Sequence, residues 1–125
     1  MKIAASIVLL NNEGLVLGVS RKHGHCDFGL PGGKMEFGDQ SIKHTAMREC
    51  FEETGLRIFN MSLIFAMPDN DAMNRTFIAQ YSGVINTKEP HIVKWCKFQE
   101  ILDGSFGAYN ELVRQSLHNA NIKYI

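Results

Sequence analysis

Residues 32–56 read GGKMEFGDQSIKHTAMRECFEETGL, and this stretch decides how the rest of the chain is interpreted. Its first part is rich in glycine, whereas residues 41–54 contain good helix formers and neither glycine nor proline. Gly55 follows where a helix that ends in a left-handed residue would place its stop signal. The pattern therefore predicts a glycine-rich loop followed by a helix over 41–54.

Three glutamates of the predicted helix lie close to one another. At about 100° per residue, Glu49 and Glu53 share one stripe with apolar residues, and Glu52 lies on its flank. Carboxylates at these spacings repel one another, and an apolar surrounding makes their charged forms less stable. A divalent cation reverses that cost, because converging oxygen ligands suit Mg²⁺ or Mn²⁺. The structural alternative is a solvated acidic face in which Arg48 pairs with Glu52.

The residues before the helix favour the metal interpretation. Gly32 and Gly33 let the backbone approach a ligand without side chains in the way. Lys34 comes next and offers a positive charge to a phosphate. Backbone polar groups, clustered carboxylates and a nearby lysine together predict a polyphosphate that binds through a metal ion.

This segment resembles the Nudix box, whose pattern is G-x5-E-x7-R-E-U-x-E-E-x-G-U with U an aliphatic residue. Gly33 corresponds to the first glycine, Arg48 and Glu49 to the R-E pair, and residues 52–56 to E-E-x-G-U. The preceding GLPG, residues 29–32, also looks like the family. Matches at so many fixed positions are far more specific than a lone glycine motif.

The chain departs from the box pattern at three points. The glutamate after x5 is replaced by Asp39, which is one methylene shorter, and eight residues rather than seven separate Asp39 from Arg48. Because the family's glutamate usually buttresses the arginine, both changes argue against an Asp39–Arg48 contact. Cys50 occupies the aliphatic position after R-E, where we expect a small core residue rather than a nucleophile.

The resemblance implies an enzyme that cleaves a phosphoanhydride of a nucleoside diphosphate linked to a second group. Glu49, Glu52 and Glu53 would bind Mg²⁺ together with the carbonyl oxygen of Gly32, with Mn²⁺ as the alternative ion. Either Glu53 or Glu49 would act as the general base, and Arg48 would belong to the same catalytic group.

The length of the chain resembles MutT-like family members, which release a nucleoside monophosphate and pyrophosphate from a triphosphate. Arg21 and Lys22 end the second predicted strand, where such enzymes often place phosphate-binding basic residues. Residues 108–111 resemble the segment that holds the purine-reading asparagine of MutT. Asn110 is therefore the candidate for base recognition, since an amide both donates and accepts hydrogen bonds. Its structural alternative is a helix N-cap.

Other polar and aromatic residues carry a functional and a structural interpretation, and the structural one is preferred for each. His23 and His25 could contact a metal or substrate but are expected to be surface residues. Some relatives take the base from a later loop, and Glu89 or Glu100 could serve there instead of being surface charges. Three aromatic residues of predicted strands could stack on a base but are expected in the core: Phe28, Phe77 and Tyr81.

The leading hypothesis is a Mg²⁺-dependent hydrolase of nucleoside triphosphates, which include oxidised ones. Alternatives with the same chemistry are hydrolysis of nucleotide sugars, ADP-ribose, dinucleoside polyphosphates or capped RNA. The short chain has no obvious extra domain for a bulky second group, which favours the triphosphate. A non-catalytic Nudix-fold nucleotide sensor is the alternative from another class, although such relatives typically lose the box glutamates.

The rest of the chain predicts a mixed fold. Apolar runs at 3–10 and 15–20 flank Asn-Asn-Glu-Gly and predict a β-hairpin. Further elements are expected as strands at 58–67, 76–85 and 92–98 and as a closing helix at 109–120. This is an α+β or α/β arrangement in one domain over 1–125. The resemblance implies the Nudix fold, in which helices sandwich a mixed, curved β-sheet.

Composition is that of an ordinary globular protein. The chain has 125 residues, zero formal net charge, 45% hydrophobic and 21% charged residues, which argues against disorder and a nucleic-acid coat protein. Three cysteines without a C-x-x-C pair predict free thiols rather than a disulfide framework. No apolar stretch approaches a membrane span or a signal peptide. We expect a soluble, cytoplasmic monomer or homodimer that binds a small-molecule nucleotide, with no membrane or stable nucleic-acid partner.

Overall fold

The computed structural model describes residues 2–21, 24–69, 71–86 and 90–125. Within these ranges, seven strands form two sheets and three helices pack against them. In chain order the elements are β1 (Lys2–Val8), β2 (Val16–Arg21), β3 (Gly24–Gly29), β4 (Gly32–Lys34), α1 (Ile42–Thr54), β5 (Arg57–Asp69), β6 (Ala72–Ser82), β7 (Val93–Cys96), α2 (Phe98–Leu102) and α3 (Gly107–Asn119). This mixture confirms the predicted fold class.

The two sheets share no strand. One sheet has the order β4-β1-β6-β5 and the other the order β3-β2-β7. β1 runs parallel to β6, and all other pairings are antiparallel. The parallel pairing places two strands from distant parts of the chain side by side at the centre of the larger sheet.

The predicted hairpin between β1 and β2 is wrong beyond its tip. The turn forms as expected, because the Asn11 side chain accepts hydrogen bonds from the backbone N–H groups of Glu13 and Leu15. Beyond the bridge that pairs Leu10 with Val16, however, the two strands separate and join different sheets. Both apolar runs are buried on both faces, which is typical of strands covered by other elements on each side.

The predicted glycine-rich loop begins with a short strand, β4, which is a second correction, and β3 before it was not predicted. Backbone hydrogen bonds rather than side-chain alternation stabilise β4, since Ile7 N–H donates to Pro31 and Met35 N–H donates to Ile3. A Cβ atom on Gly32 would overlap the backbone of β1 at the Ala5 carbonyl. Glycine therefore allows β4 to lie closer to β1 than a residue with a side chain could.

Helix α1 matches its prediction. Ser41 caps it, and the Ser41 hydroxyl accepts a hydrogen bond from the His44 backbone N–H at 3.1 Å. Gly55 ends it in the left-handed region at φ 80°. Cys50 is fully buried, so the prediction of a small core residue is confirmed.

The remaining predicted elements are correct within a few residues, with one omission. β5 and β6 are longer than predicted, and α3 begins two residues before the predicted start at 109. The predicted strand at 92–98 ends at Cys96, and Phe98 begins α2 instead. This helix has five residues, too few to produce a helical period in the sequence. None of the described helices is long and apolar enough to cross a membrane.

Two apolar clusters fill the interior, and β1 contributes to both. Ile7 belongs to the cluster that includes residues of α1, and Val8 to the cluster that includes residues of α2 and α3. Phe28 and Phe77 are buried within these clusters, and Tyr81 packs on Trp95 with ring centroids 5.4 Å apart. The core interpretation of these three aromatic residues is confirmed.

Thr54 provides a test of how α1 is joined to β5. It is fully buried, its hydroxyl donates to the Cys50 carbonyl at 2.7 Å, and it accepts from the Leu56 N–H at 3.1 Å. We expect Thr54→Val to lower the free energy of unfolding by about 1–3 kcal/mol, because the Leu56 N–H loses its acceptor. Urea denaturation measures the change.

Thr54→Ser is the matched control, because it keeps the hydroxyl and removes only a methyl group. We expect it to cost about 1 kcal/mol, the usual price of one buried methyl. A serine variant less stable than the valine variant would contradict the assignment of the hydroxyl as the stabilising group.

Candidate active site

Arg48 and Asp39 form a bidentate ion pair, contrary to the sequence-based expectation. Nε of Arg48 lies 2.9 Å from Oδ1 of Asp39, and Nη2 lies 2.9 Å from Oδ2. The extra residue causes no disruption because it lies before the cap, Ser41, and α1 starts in its usual way. A turn at Gly38, with φ 102°, brings Asp39 back towards the helix.

Further hydrogen bonds fix the Asp39 carboxylate. The Thr45 hydroxyl donates to Oδ2 at 2.8 Å, and the backbone N–H of Glu36 donates to the same atom at 3.0 Å. Only 4% of the Asp39 side chain is exposed. Asp39 thus performs the buttressing that the family assigns to a glutamate, with the shorter side chain compensated by the path of the loop.

The same arginine contacts two of the three clustered glutamates. Nη1 of Arg48 lies 2.7 Å from Oε1 of Glu49 and 3.0 Å from Oε1 of Glu52. Nη2 also donates to the Lys34 carbonyl at 3.3 Å. One guanidinium therefore offsets the repulsion between the carboxylates and ties α1 to β4.

Glu49 packs directly on the backbone of β4. A Cβ atom at Gly33 would overlap the Glu49 carboxylate, so glycine at this position creates the space that the carboxylate fills. Burial raises the pKa of Glu49, and the ion pair with Arg48 opposes that rise only in part. A partly desolvated carboxylate is a stronger ligand and base than one in water.

Glu53, on α1, contacts Gly32, the first residue of β4. Its Oε1 accepts a hydrogen bond from the Gly32 N–H at 2.8 Å. Because the N–H and C=O groups of one strand residue point to the same side, the Gly32 carbonyl also faces α1. The Gly32 carbonyl therefore lies on the same side of β4 as the Glu53 carboxylate.

The donor set at this junction fits a hard divalent cation. It consists of carboxylate oxygens and one backbone carbonyl, the ligands that Mg²⁺ and Mn²⁺ prefer. In the part of the chain that the structure describes, no three Asp, Glu, His or Cys residues already stand as a ligand group. Glu49 and Glu52 are instead held in ion pairs with Arg48.

A cleft of about 400 Å³ opens beside β4. The three residues predicted to bind substrate, Arg21, Lys34 and Asn110, all line it, together with Gly32 and Gly33. Elements β2, β4 and α3 supply these residues, so only folding brings them to one cavity. Further lining residues had not been anticipated from the sequence: Ser6, Asp71, Asn74, Phe106 and Tyr109.

Asn110 does not cap a helix, so its structural alternative is wrong. Phe106 is the N-cap of α3, and the Asn110 N–H donates to the Phe106 carbonyl at 2.9 Å inside the first turn. Asn110 is only 3% exposed yet lines the cleft. Among the described residues, no hydrogen bond engages its side-chain amide.

Two of the unanticipated lining residues, Phe106 and Asp71, differ in whether the sequence could have indicated them. Phe106 precedes Asn110 by four residues, a spacing that places both on one helix face and that could have indicated a shared role. Asp71 lies 3.7 Å from the Lys34 ammonium, and it reaches the cleft only because β6 pairs with β1. No local sequence signal marks such a pairing.

Of the remaining candidates, the structure describes the side chain of Glu100. Glu100 forms an ion pair with Lys94 at 2.8 Å, in keeping with a surface charge. Lys22, His23 and Glu89 lie outside the described residues. The side chain of His25 also lies outside the description.

The family comparison agrees with the fold and the position of the box. The NUDIX domain model matches residues 1–116 of this chain. A solved MutT, from work on the fish pathogen Aliivibrio salmonicida and on Vibrio cholerae, is 19% identical with a TM-score of 0.76, covering 94% of this chain and 98% of that one. A MutT protein from Bacillus halodurans is 25% identical with a TM-score of 0.73, over 92% and 80% of the two chains. An ADP-ribose pyrophosphatase from Streptococcus suis is 17% identical with a TM-score of 0.77, over 95% and 91%.

The chain belongs to the Nudix family, and its fold is the Nudix fold. It is a MutT-like pyrophosphohydrolase that acts on small-molecule nucleotides in which a nucleoside diphosphate is linked to another group. Nudix hydrolases generally use divalent metals. The predictions of family, fold and enzyme class are confirmed.

The ion pair of Asp39 makes stability depend on pH. Hydrogen bonds from Arg48, followed by that from the Glu36 N–H, hold the pKa of Asp39 well below its usual value of about 3.9. The folded state binds this proton less readily than the unfolded state, so Asp39 stabilises the fold above about pH 4 and loses that effect as pH falls further. We expect Asp39→Asn to lower the melting temperature at pH 7, with a difference from the wild type that shrinks below about pH 4.

Thermal unfolding followed by circular dichroism between about pH 2 and pH 8 measures this difference. Asp103→Asn is the matched control, because Asp103 is exposed and its carboxylate binds only the side chain of Gln99 in the described structure. An Asp39→Asn variant as stable as wild type at pH 7 would contradict the structural role of the pair.

Proposed function

We propose that this protein hydrolyses nucleoside triphosphates, oxidised ones included, to the monophosphate and pyrophosphate in the presence of Mg²⁺. The observation that carries this proposal is that two glycines of β4 lie between the cleft and the β4–α1 junction. Gly32 and Gly33 line the cleft on one side and contact Glu53 and Glu49 on the other. A phosphate in the cleft would therefore lie next to the clustered carboxylates.

Glu49, Glu52, Glu53 and the Gly32 carbonyl are the residues we propose to hold the metal. Bound there, a divalent ion would supply positive charge to the phosphate oxygens and lower the pKa of water. Glu49 and Glu52 would exchange their ion pairs with Arg48 for metal ligation. Arg48 would stay in place through its ion pair with Asp39, which does not involve the glutamates.

Glu53 is the proposed general base. Its carboxylate is oriented by the Gly32 N–H at the edge of the cleft, where an attacking water would have to lose a proton. Glu49 is the alternative, because burial raises its pKa towards the range in which a base works efficiently at neutral pH. Separate Glu→Gln variants distinguish the two, since loss of the base removes the acidic limb of the pH–rate profile.

The remaining lining residues match the parts of a nucleotide. Lys34 stands next to Gly33 and would contact phosphate oxygens, and Arg21 offers a second positive charge at the cleft. Asn110 presents an amide that can donate to and accept from the edge of a purine base. Its position supports this role, because Asn110 lines the cleft and no hydrogen bond within the described part of the chain engages its side-chain amide.

ADP-ribose is the second candidate substrate. The TM-score to the Streptococcus suis ADP-ribose pyrophosphatase, 0.77, is as high as those to the MutT structures, at a sequence identity of 17%. Hydrolysis of ADP-ribose would need the same metal chemistry but a different binding mode of the substrate in the cleft.

Three further statements remain predictions from the sequence: a single domain over 1–125, a monomeric or homodimeric state, and a cytoplasmic location.

A substrate panel tests the proposed function. Release of phosphate and pyrophosphate would be measured for nucleoside triphosphates, nucleotide sugars, ADP-ribose and dinucleoside polyphosphates, each with and without Mg²⁺. We expect pyrophosphate from triphosphates only, and only with the metal. Monophosphate products from ADP-ribose would move the assignment to the second candidate, and nucleotide binding without any turnover would favour the sensor.

Glu53→Gln tests the site itself. We expect kcat to fall by at least about 10²-fold, because the variant loses a charged metal ligand and the proposed base. Glu13→Gln is the control, since Glu13 is exposed in the turn between β1 and β2. Turnover near the wild-type value in a folded Glu53→Gln variant would overturn the site assignment.

A further inference from the structure

One carboxylate outside the cleft contacts two parts of its wall. Oδ1 of Asp27, on β3, accepts a hydrogen bond from the backbone N–H of Ser105 at 2.8 Å, and Oδ2 accepts one from the Ser105 hydroxyl. Nε of Arg21 lies 3.9 Å from the same Oδ2. Ser105 directly precedes Phe106, so Asp27 connects a lining residue of β2 to the start of α3.

A carboxylate from elsewhere in the chain lies next to the N-terminus of α3. Its N-cap is Phe106, which has no side-chain acceptor, and no side chain caps the helix from within. A negative charge near a helix N-terminus interacts favourably with the helix dipole and with the unpaired N–H groups there. Asp27 provides this charge next to the first turn, and the Ser105 hydrogen bond lowers the pKa of Asp27, which keeps it ionised.

Close backbone packing fixes the segment that Asp27 holds. A Cβ atom at Gly104 would overlap the Phe28 carbonyl, and one at Gly107 would overlap the Leu102 carbonyl. The segment between these glycines therefore lies against both β3 and α2. Its position sets the orientation of Phe106, whose ring lies 5.5 Å from the Arg21 guanidinium.

We propose that Asp27 is a positioning residue for substrate binding. Its carboxylate holds Arg21 and residues 104–106, and so fixes Phe106 and, one helical turn later, Asn110 at the cleft. This inference rests on the proposed function, because it takes the cleft as the nucleotide site. Asp27 touches no reacting group, and the chemistry belongs to the glutamates of α1, so its loss affects KM and leaves kcat unchanged.

Steady-state kinetics of Asp27 variants test the functional part. We expect Asp27→Ala to raise KM for the best triphosphate about tenfold, the effect of one charge-assisted hydrogen bond, with kcat within about twofold of wild type. Asp27→Asn keeps an acceptor for the Ser105 N–H and should recover part of the loss. Asp103→Asn, at an exposed aspartate directly after α2, should match wild type.

Hydrogen–deuterium exchange tests the structural part without a substrate. We expect faster exchange over 104–110 in Asp27→Ala and unchanged exchange over α1. If Asp27→Ala does not fold, Asp27→Asn and Ser105→Ala take its place in both measurements, since each removes only part of the contact. Unchanged exchange over 104–110 would overturn the proposal, as would a loss in kcat with KM unaltered.

The two proposals can fail separately. If wild-type protein turns over no substrate, the proposed function fails, and the dissociation constant of a non-hydrolysable nucleoside triphosphate analogue replaces KM. A weaker affinity in Asp27→Ala with accelerated exchange would then support the positioning role. An unchanged affinity would overturn it.

Discussion

The structure depends on the close approach of β4 to β1 on one side and to α1 on the other. Three residues of extended chain fit between a strand and a helix because the first two have no side chains. The backbone groups of β4 and of the residues on either side of it serve both neighbours. Pro31 and Met35, which flank β4, bond to β1, whereas the Gly32 N–H and the Lys34 carbonyl bond to α1. The strand thus contributes to the sheet and to the candidate site at once.

Charge is the second constraint, since three carboxylates on one helix face would repel one another. Arg48 offsets that repulsion through Glu49 and Glu52, and it is fixed in turn by Asp39. A bidentate pair with a nearly buried carboxylate leaves the guanidinium little freedom to move away. The arrangement separates a structural anion, Asp39, from the glutamates at the β4–α1 junction, of which Glu49 and Glu52 share the same guanidinium.

The cleft exists because β1 and β2 separate. If the two strands had formed a long hairpin, β4 and β6 could not both pair with β1, and Lys34 would not lie beside Asp71. Parallel pairing of β1 with β6 also places Thr76 between Ser6 and Tyr109, so that three hydroxyl groups connect β1, β6 and α3 at 2.7 and 2.8 Å. The floor and the wall of the cleft are therefore joined by polar contacts between elements that are distant in sequence.

The sequence by itself determined the elements and the chemistry that is local to one helix. Helix α1, its end at Gly55 and the clustering of its glutamates all follow from spacing within a few residues. The fold class and the Nudix family could be predicted for the same reason, because the motif that carries them is continuous in the chain. Local spacing could also assign Cys50 to the core, since a helix face is read directly from a period of 3.6 residues.

Only the tertiary structure decided what depends on contacts between distant residues. The Asp39–Arg48 pair was misjudged because residue counting cannot show how a loop before the cap absorbs an additional residue. The separation of β1 and β2, the strands formed by the glycine-rich segment and the link from Asp27 to Ser105 are likewise invisible to local patterns. Each is set by hydrogen bonds and close packing between segments up to 80 residues apart, and such pairings have no period in the sequence.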